Sequence, residues 1–262
     1  MFDLKGKTAL VTGSSSGVGA ATVRLLASLG CNVVVNYSRS VDDAEAVAEE
    51  CRAHGVKAIT VKANVSDDAD CKRLVETTIA EFGRLDHLVN NAGTTKFMAH
   101  DNLPGLSAED FQNIYAVNVV GPYQMAKWAE PHLRASGKAS ITNVSSIAGV
   151  TGIGSCVAYA ASKGALNTMT MSLARVMGPE IRVNAICPGM IQSRWLQNGM
   201  GEERYNATLN HQLKSNPIQK VSTPEDNAQV ILMFIAGSDL VTGETMMVDG
   251  GMHLGFAPAV AR

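Results

Sequence analysis

The chain has 262 residues, 46% of them hydrophobic and 18% charged, and its formal net charge is −2. This balance excludes a basic nucleic-acid-binding or membrane-surface protein, and no apolar run approaches the roughly 20 residues of a membrane helix. The N-terminus has an acid at Asp3 and no long apolar run ahead of a cleavage site, so no secretory signal is predicted and a soluble cytoplasmic protein is expected. Five scattered cysteines and six histidines without ligand spacing predict reduced, buried thiols and no metal site.

Short β-branched segments alternate with helical patterns along the chain. Strands are predicted at Thr8–Gly13, Asn32–Tyr37, Lys57–Ala63, Asp86–Gly93, Ala139–Ser146, Ile181–Gly189 and Glu244–Gly251. Helices are predicted at Gly17–Leu29, Asp42–His54, Asp67–Phe82, Ala108–Leu133, Val157–Met177 and Pro224–Ala236. This rhythm predicts right-handed crossovers and an α/β fold, a doubly wound parallel sheet of about seven strands with helices on both faces. No linker or repeat divides residues 1–262, so a single domain is expected.

The segment from Gly189 to Thr223 departs from this rhythm. It is long and polar and has weak periodicity, which favours a substrate lid at about 189–223 over a part of the core. Trp195, Leu196 and Met200 could line an apolar pocket in this lid, with Arg194 at its edge. Simple packing within the lid is the alternative.

Glycines at 13, 17 and 19 lie between the first predicted strand and the first predicted helix. Backbone without side chains can approach a phosphate closely, and the free N–H groups of a helix N-terminus favour an anion. The spacing Gly-x-x-x-Gly-x-Gly differs from the usual dinucleotide fingerprint, and no Gly-Lys-Ser/Thr follows, which excludes a P-loop. The turn therefore predicts a nucleotide site. The alternative is a tight turn that only packs the helix on the sheet.

Further motifs follow the glycine turn in a fixed order. They are Asn91-Ala92-Gly93, Ser146, Tyr159-x-x-x-Lys163, and the later segments "IRVNAICPGMIQS" and "TGETMMVDGG". Together they resemble the short-chain dehydrogenase/reductase family over nearly the whole chain, and most of all its bacterial 3-oxoacyl-thioester reductases. The resemblance implies a Rossmann-type fold, hydride transfer with a nicotinamide cofactor, and a homotetramer. The tail "HLGFAPAVAR" would then join a subunit interface or fray.

Two side chains four residues apart on a helix, Tyr159 and Lys163, lie on one face. A tyrosine pKa of about 10 is too high for proton exchange near neutrality, so the lysine must act on the phenol in a partly dry cleft. The resemblance makes Tyr159 the general acid/base and lets Lys163 also bond the nicotinamide ribose. The family serine lies thirteen residues before the tyrosine, which selects Ser146 over Ser145 to hold the carbonyl oxygen. Asn118 matches an asparagine that holds a water beside the lysine, and a buried, helix-bending asparagine is the alternative.

The end of the second predicted strand bears on the choice of cofactor. An NAD site of this type has an acid there, about 20 residues past the glycine turn. The equivalent residue is Tyr37, and no carboxylate occurs from Val33 to Ser40. Arg39 offers a charge-assisted partner for a 2′-phosphate, and Ser38 or Asn36 could add hydrogen bonds. NADP(H) is therefore favoured as the cofactor, and NAD(H) is the alternative. For Arg39 itself, the alternative is a solvated loop arginine without a role in binding.

The resemblance also implies the remaining cofactor contacts. These are Gly13, Ser15, Ser16, Gly17, Val18, Gly19, Tyr37, Ser38, Arg39, Asn64, Val65, Asn91, Ala92, Gly93, Tyr159, Lys163, Pro188, Gly189, Ile191 and Ser193. The expected partner is a small-molecule carbonyl or alcohol. A carrier-protein substrate is disfavoured because "MGPEI" lacks the usual arginine, although Arg134 and Lys138 remain as candidate contacts. The competing functions are a catalytically silent dinucleotide-binding regulator, a methyltransferase of similar fold, and an NAD-linked alcohol, sugar or steroid dehydrogenase.

Overall fold

The computed structural model describes residues 3–255 of the chain. Its strands are β1 (Thr8–Val11), β2 (Asn32–Tyr37), β3 (Ala58–Lys62), β4 (His87–Asn90), β5 (Ala139–Val144), β6 (Ile181–Pro188) and β7 (Thr245–Val248). All seven pair in parallel in one sheet, in the order β3-β2-β1-β4-β5-β6-β7. The predicted fold class, a single-domain doubly wound parallel sheet, is confirmed.

Helices cover both faces of this sheet. They are α1 (Gly17–Ser28), α2 (Val41–Arg52), α3 (Asp68–Phe82), α4 (Ala108–Tyr115), α5 (Gly121–Ser136), α6 (Ala148–Thr151), α7 (Val157–Met177), α8 (Arg194–Met200), α9 (Glu202–Ser215) and α10 (Pro224–Ala236). Among the described helices, none is long and apolar enough to cross a membrane. The part of the chain that the structure describes also contains no group of histidine, cysteine or acidic residues that could hold a metal ion.

Two hydrophobic layers sandwich the sheet, because neighbouring strand residues point to opposite faces. Val33 and Val35 of β2 pack with α1, α2 and α10, whereas Val34 between them packs with α3 and α5. All five cysteines are free and buried. The strands are therefore apolar on both faces, as a covered parallel sheet requires.

Two helical regions differ in detail from the sequence predictions. The helix predicted over Ala108–Leu133 runs on to Ser136 and contains a π-helical turn at Ala116–Val120. The segment predicted as a lid at about 189–223, in which no helix was predicted, contains α8 and α9. α9 has a polar sequence and buries only Tyr205 and Gln212, so its helical periodicity is weak. Most of the C-terminal tail, expected to join an interface or fray, lies outside the described residues.

The strand order reverses between β1 and β4, which places a crevice at the carboxyl ends of these strands. Ligands of doubly wound sheets bind at such a reversal. The glycine turn follows β1, Asn91 follows β4, and Ser146 follows β5. The fold thus brings the three motifs to one edge of the sheet.

Candidate active site

A cleft of about 1290 Å³ runs along the carboxyl edge of the sheet. Among the predicted site residues, those lining it are Gly13, Ser15, Ser16, Gly17, Val18, Tyr37, Ser38, Arg39, Asn64, Val65, Asn91, Ala92, Gly93, Ser146, Tyr159, Lys163, Pro188, Gly189, Ile191 and Ser193. Gly19 and Asn118 are the two that do not line it. The structure therefore brings nearly all the predicted cofactor and catalytic residues to one cavity.

The glycine turn between β1 and α1 needs its glycines for different reasons. Gly13 and Gly17 have φ values of 62° and 57°, in the left-handed region that side chains disfavour. Gly19 is needed for space, since a Cβ there would lie 2.5 Å from Asn91 Nδ2 and 2.8 Å from the Gly13 carbonyl oxygen. Gly19 thus seats α1 against the end of β4 instead of lining the cleft.

The N-terminus of α1 is prepared for an anion. Its N-cap residue, Ser16, makes no side-chain capping bond, and the first turn contains no acidic residue. By contrast, α3, α4 and α10 are capped by the side chains of Asp67, Ser107 and Thr223 and begin with acids. Uncapped N–H groups at the positive end of a helix dipole suit a pyrophosphate. The turn therefore fits a dinucleotide.

Two polar side chains beneath the turn hold it in shape. Asn36 Oδ1 accepts from the Gly13 N–H at 2.9 Å, and its amide donates to the carbonyl oxygens of Val61 and Ala63 at 3.2 and 3.1 Å. Its buried amide is thus engaged by the fold, which leaves Ser38 as the more available of the two residues considered as hydrogen-bond partners for a cofactor phosphate. Thr12 Oγ1 accepts from the N–H groups of Asn91 and Ala92, each at 3.0 Å. The sequence signal for these roles is a polar residue within or just after a buried apolar strand.

The loop after β2 presents an arginine to the cleft. Ser38 and Arg39 are exposed and line the cavity. Among the described residues Arg39 has no ion-pair partner, whereas the neighbouring Asp43 lies 3.6 Å from Arg194 Nη2. An exposed, unpaired guanidinium at this end of the cleft can receive a phosphate.

The candidate catalytic side chains meet at the other end of the cleft. Tyr159 and Lys163 project from α7, with Lys163 Nζ 5.6 Å from the centroid of the Tyr159 ring. Ser146, just past β5, lies beside the Tyr159 phenol and acts to lower its pKa. Ser145 is buried and donates to the Lys163 backbone carbonyl oxygen at 3.2 Å. The hydroxyl beside the phenol is therefore that of Ser146.

The N-cap of α7, Cys156, accepts from the Tyr159 N–H at 3.3 Å and fixes the first turn.

Burial acts strongly on both ionisable groups of this helix. Loss of water raises the pKa of Tyr159 to about 12, and the nearby Ser146 hydroxyl offsets only part of that rise. Burial lowers the pKa of Lys163 to about 8, and its Nζ donates to the Val144 carbonyl oxygen at 2.8 Å. A desolvated ammonium has a field that water screens weakly. The positive charge of Lys163 can consequently stabilise the phenolate of Tyr159 and so lower the pKa of the phenol.

Asn118 lies in the π-helical turn, fully buried behind the cleft. Its Oδ1 accepts from the Thr94 N–H at 2.8 Å, and its amide donates to the Thr94 carbonyl oxygen at 2.9 Å and to Ser162 Oγ at 3.0 Å. Both amide hydrogens are thus used to fasten the loop after β4 to α7. The Asn118 side chain thus has no amide hydrogen left for the water expected beside Lys163. Such a water would have to bond to backbone groups of the π-helical turn.

Two further observations concern the substrate end. Phe97, to which the sequence analysis assigned no role, lines the cleft and contacts Trp195. Arg134 and Lys138, considered as carrier-protein contacts, do not line the cleft. Arg134 pairs with Glu130 and donates to the Val176 carbonyl oxygen at 3.1 Å.

Comparison with known proteins agrees with this geometry. Residues 13–253 match the family model described as Enoyl-(Acyl carrier protein) reductase. A Streptomyces violaceoruber protein named as ketoacyl reductase 2 of the granaticin polyketide synthase is 42% identical over 246 residues, 94% of this chain and 96% of its own length. The 3-oxoacyl-(acyl-carrier-protein) reductase of Staphylococcus aureus is 33% identical over 251 residues, 95% of this chain and 98% of its own length.

A solved structure shows the same architecture. The NADPH-dependent 3-quinuclidinone reductase from Rhodotorula rubra matches with a TM-score of 0.87 at 26% identity, over 97% of this chain and 94% of that one. The sequence matches span almost the whole length of both partners, and the structural match also covers nearly all of both chains. The chain therefore belongs to the short-chain dehydrogenase/reductase family of oxidoreductases.

Proposed function

We propose that this protein is an NADP(H)-dependent oxidoreductase that interconverts a carbonyl and a secondary alcohol on a small molecule. The observation that carries the proposal is the convergence of Ser146, Tyr159 and Lys163 on a cleft that also holds an anion-ready glycine turn. The relatives named as ketoacyl, 3-oxoacyl and 3-quinuclidinone reductases support carbonyl reduction as the chemistry.

Each side chain has a role in the proposed step. The reduced cofactor, when bound, supplies the hydride that forms the new bond to the carbonyl carbon. Ser146 donates a hydrogen bond to the carbonyl oxygen, and the Tyr159 phenol gives its proton to that oxygen as the alcohol forms. Lys163 stabilises the phenolate left behind, because its desolvated charge lies on the same face of α7. Alcohol oxidation reverses these proton movements.

The residues along the cleft would bind the cofactor from end to end. The N–H groups at the start of α1 would hold the pyrophosphate, and Arg39 would pair with the 2′-phosphate of NADP(H). The cofactor named for the quinuclidinone reductase supports this choice. Asn64 and Val65 would contact the adenine, and Pro188 to Ser193 would cover the nicotinamide.

Two features beyond the reaction centre belong to the same proposal. The segment containing α8 and α9 would be the lid over the substrate, since residues of both helices line the cleft. A homotetramer would pack through α5 and α7, on which Tyr123 and Met171 are exposed.

The competing functions are weaker on the same geometry. A silent dinucleotide-binding regulator or a methyltransferase needs the glycine turn but has no use for a serine, a tyrosine and a desolvated lysine gathered in one cleft. An NAD-linked dehydrogenase would use the same three side chains, and only cofactor binding separates it from the proposal.

Cofactor titration tests the proposal first. We expect NADPH to bind more tightly than NADH, and Arg39→Ala to weaken NADPH about tenfold or more while leaving NADH unchanged, because one charge-assisted bond is lost. Arg175→Ala, which removes an exposed arginine of α7 that does not line the cleft, is the matched control. NADH binding as tightly as NADPH would instead indicate an NAD-linked dehydrogenase.

Turnover then tests the chemistry. NADPH consumption with 2,3-butanedione should fall at least about a hundredfold in Tyr159→Phe, which lacks the proton donor. Tight cofactor binding without reduction of any ketone or 3-oxoacyl thioester would favour the regulator. Failure to bind either cofactor would overturn the enzymatic proposal.

A further inference from the structure

Three aromatic rings, which we call the aromatic wall, stand together at the substrate end of the cleft. They are Phe97, Tyr159 and Trp195, and all three line the cavity. The Trp195 ring centroid lies 5.9 Å from that of Phe97 and 6.4 Å from that of Tyr159, with interplanar angles of 59° and 47°. These tilted contacts lie within the range of favourable aromatic pairs. Trp195 nevertheless remains 46% exposed, so much of its indole is free to meet a ligand.

The wall is held in place from behind. Gly199 lies one helical turn after Trp195 on α8, and a Cβ at this glycine would overlap the ring of Phe97. Phe97 therefore rests directly on the backbone of α8, which only glycine allows. At the start of α8, Ser193 caps the helix by accepting from the Leu196 N–H at 3.5 Å. A surface fixed in this way loses little entropy when a ligand packs on it.

Further apolar side chains border the cavity that the wall and the proton donor line. Ile153, which is 55% exposed, and Met200 line the same cavity. A flat, rigid ring laid on Trp195 would gain a large contact area with few rotors to freeze, whereas a flexible acyl chain must lose rotamer freedom to make the same contact. Because Tyr159 is itself part of the wall, a ketone attached to such a ring lies within reach of the phenol.

The charges needed by an acyl-carrier substrate lie elsewhere. Arg134 is engaged with Glu130, Glu180 and two backbone carbonyl oxygens, and Lys138 lies 3.7 Å from Asp239. Neither lines the cleft. Inside the cleft, neither of these two cations can contact a bound ketone.

We infer that Trp195, supported by Phe97, is a specificity-determining residue that selects ketones carried on a planar aromatic ring system, such as bicyclic aryl-fused ketones. The inference deepens the proposed function and rests on it for the chemistry of the reaction. It assigns Trp195 to binding and leaves proton transfer to Tyr159.

The test compares two ketones of the same skeleton, 2-tetralone with its flat fused ring and 2-decalone, its saturated counterpart. With NADPH, the ratio of kcat/KM for 2-tetralone to that for 2-decalone should be about tenfold or more in the wild type, and Trp195→Ala should reduce this ratio about tenfold. Trp195→Phe should keep most of it, since a ring remains. Leu213→Ala, a change on the exposed side of α9 outside the cleft, is the matched lid control and should leave the ratio unaltered. A wild-type ratio near one, or no change in Trp195→Ala, overturns the inference.

A binding measurement separates this inference from the proposed function. The chain has two tryptophans, and Trp128 lies away from the cleft, donating to Asp68 at 2.8 Å. In Trp128→Phe, quenching of the remaining Trp195 fluorescence by 2-tetralone, and less by 2-decalone, reports the wall without requiring turnover. Quenching without reduction of any ketone would reject the proposed function alone. Reduction of 2,3-butanedione without quenching or ring preference would reject the wall alone. The measurement needs no Trp195 variant, so it decides the matter even if Trp195→Ala is unstable.

Discussion

Ionisable groups withdraw from water at both edges of the sheet. Asp86 and His87 are buried at the amino ends of the strands, and Lys163 is buried at the carboxyl ends beside the partly buried Tyr159. Asp86 accepts from Arg84 Nε at 2.8 Å, from Arg84 Nη2 at 2.7 Å and from the Thr8 N–H at 2.9 Å. Burial alone would raise the pKa of Asp86, but these bonds hold it below its usual range. The charge at the amino edge is thus fully compensated.

At the carboxyl edge, the buried charge of Lys163 is not compensated in this way. Among the described residues, no carboxylate lies within ion-pair distance of Lys163, whose Nζ meets the Val144 carbonyl oxygen. The same loss of water that Asp86 overcomes therefore lowers the pKa of Lys163 to about 8. A compensated charge stabilises the fold, whereas an uncompensated one keeps a field available for a reacting group. This difference separates a structural cluster from a candidate catalytic one.

Removing the partner of Asp86 should give the largest loss of stability. Arg84→Met leaves a carboxylate with no exposed surface and only the Thr8 N–H and the more distant Lys7, at 3.4 Å. We expect the free energy of unfolding, from urea titration, to fall by about 3 kcal/mol. The double variant Arg84→Met/Asp86→Asn should recover part of this loss, because the unpaired charge is gone. Equal losses in the single and double variants would show that the charge of Asp86 is not the cause.

His87 makes the amino edge sensitive to pH. It is buried with Nδ1 2.9 Å from Ser140 Oγ, and burial lowers its pKa to about 4. The unfolded chain takes up this proton near pH 6.5 and the folded chain does not until about pH 4, so stability falls as the pH falls between these values. From about pH 7 to about pH 5 the free energy of unfolding should drop by about 2 kcal/mol through His87 alone.

The matched variant for this titration is His87→Asn, whose amide can still bond Ser140. Its stability should decline less over the same pH range, by the amount assigned to His87. If the free energy of unfolding fell equally with pH in the two proteins, groups other than His87 would be responsible for the pH dependence.

Local sequence was a good guide where one pattern persisted. The helix predicted over Val157–Met177 has those limits in the structure, because its alanine-rich sequence meets no proline or competing contact. The helix predicted over Ala108–Leu133 is divided because the Asn118 side chain bonds the Thr94 backbone, a residue distant in the chain. Such tertiary bonds override the propensity of a segment and leave no local trace.

Some residues of the candidate site could likewise be predicted from local sequence, and others could not. Motif spacing located the glycine turn, Tyr159 and Lys163, because each depends on residues close together in the chain. The roles of Asn36 and Phe97 depend on partners brought together only by the fold, the Gly13 N–H and the backbone at Gly199. Their geometry could not be predicted from the sequence.

The smallest expected change in stability comes from Lys163→Met, and it tests most directly whether the buried charge of Lys163 is uncompensated while that of Asp86 is compensated. Keeping Lys163 charged costs the fold about 3 kcal/mol at neutral pH, from the shift of its pKa from 10.5 to about 8. Lys163→Met removes that cost but leaves the Val144 carbonyl oxygen without its donor, a penalty of about 2 kcal/mol. The free energy of unfolding should therefore rise by about 1 kcal/mol, while NADPH-dependent turnover is lost.

The comparison variant is Arg84→Met, the same kind of change at the amino edge, for which the sign is reversed. Urea titration of the two variants side by side measures both signs in one experiment. If Lys163→Met instead destabilised the protein as Arg84→Met does, Lys163 would have to be compensated in the fold as Asp86 is. Its desolvated charge could then no longer explain the acidity required of Tyr159.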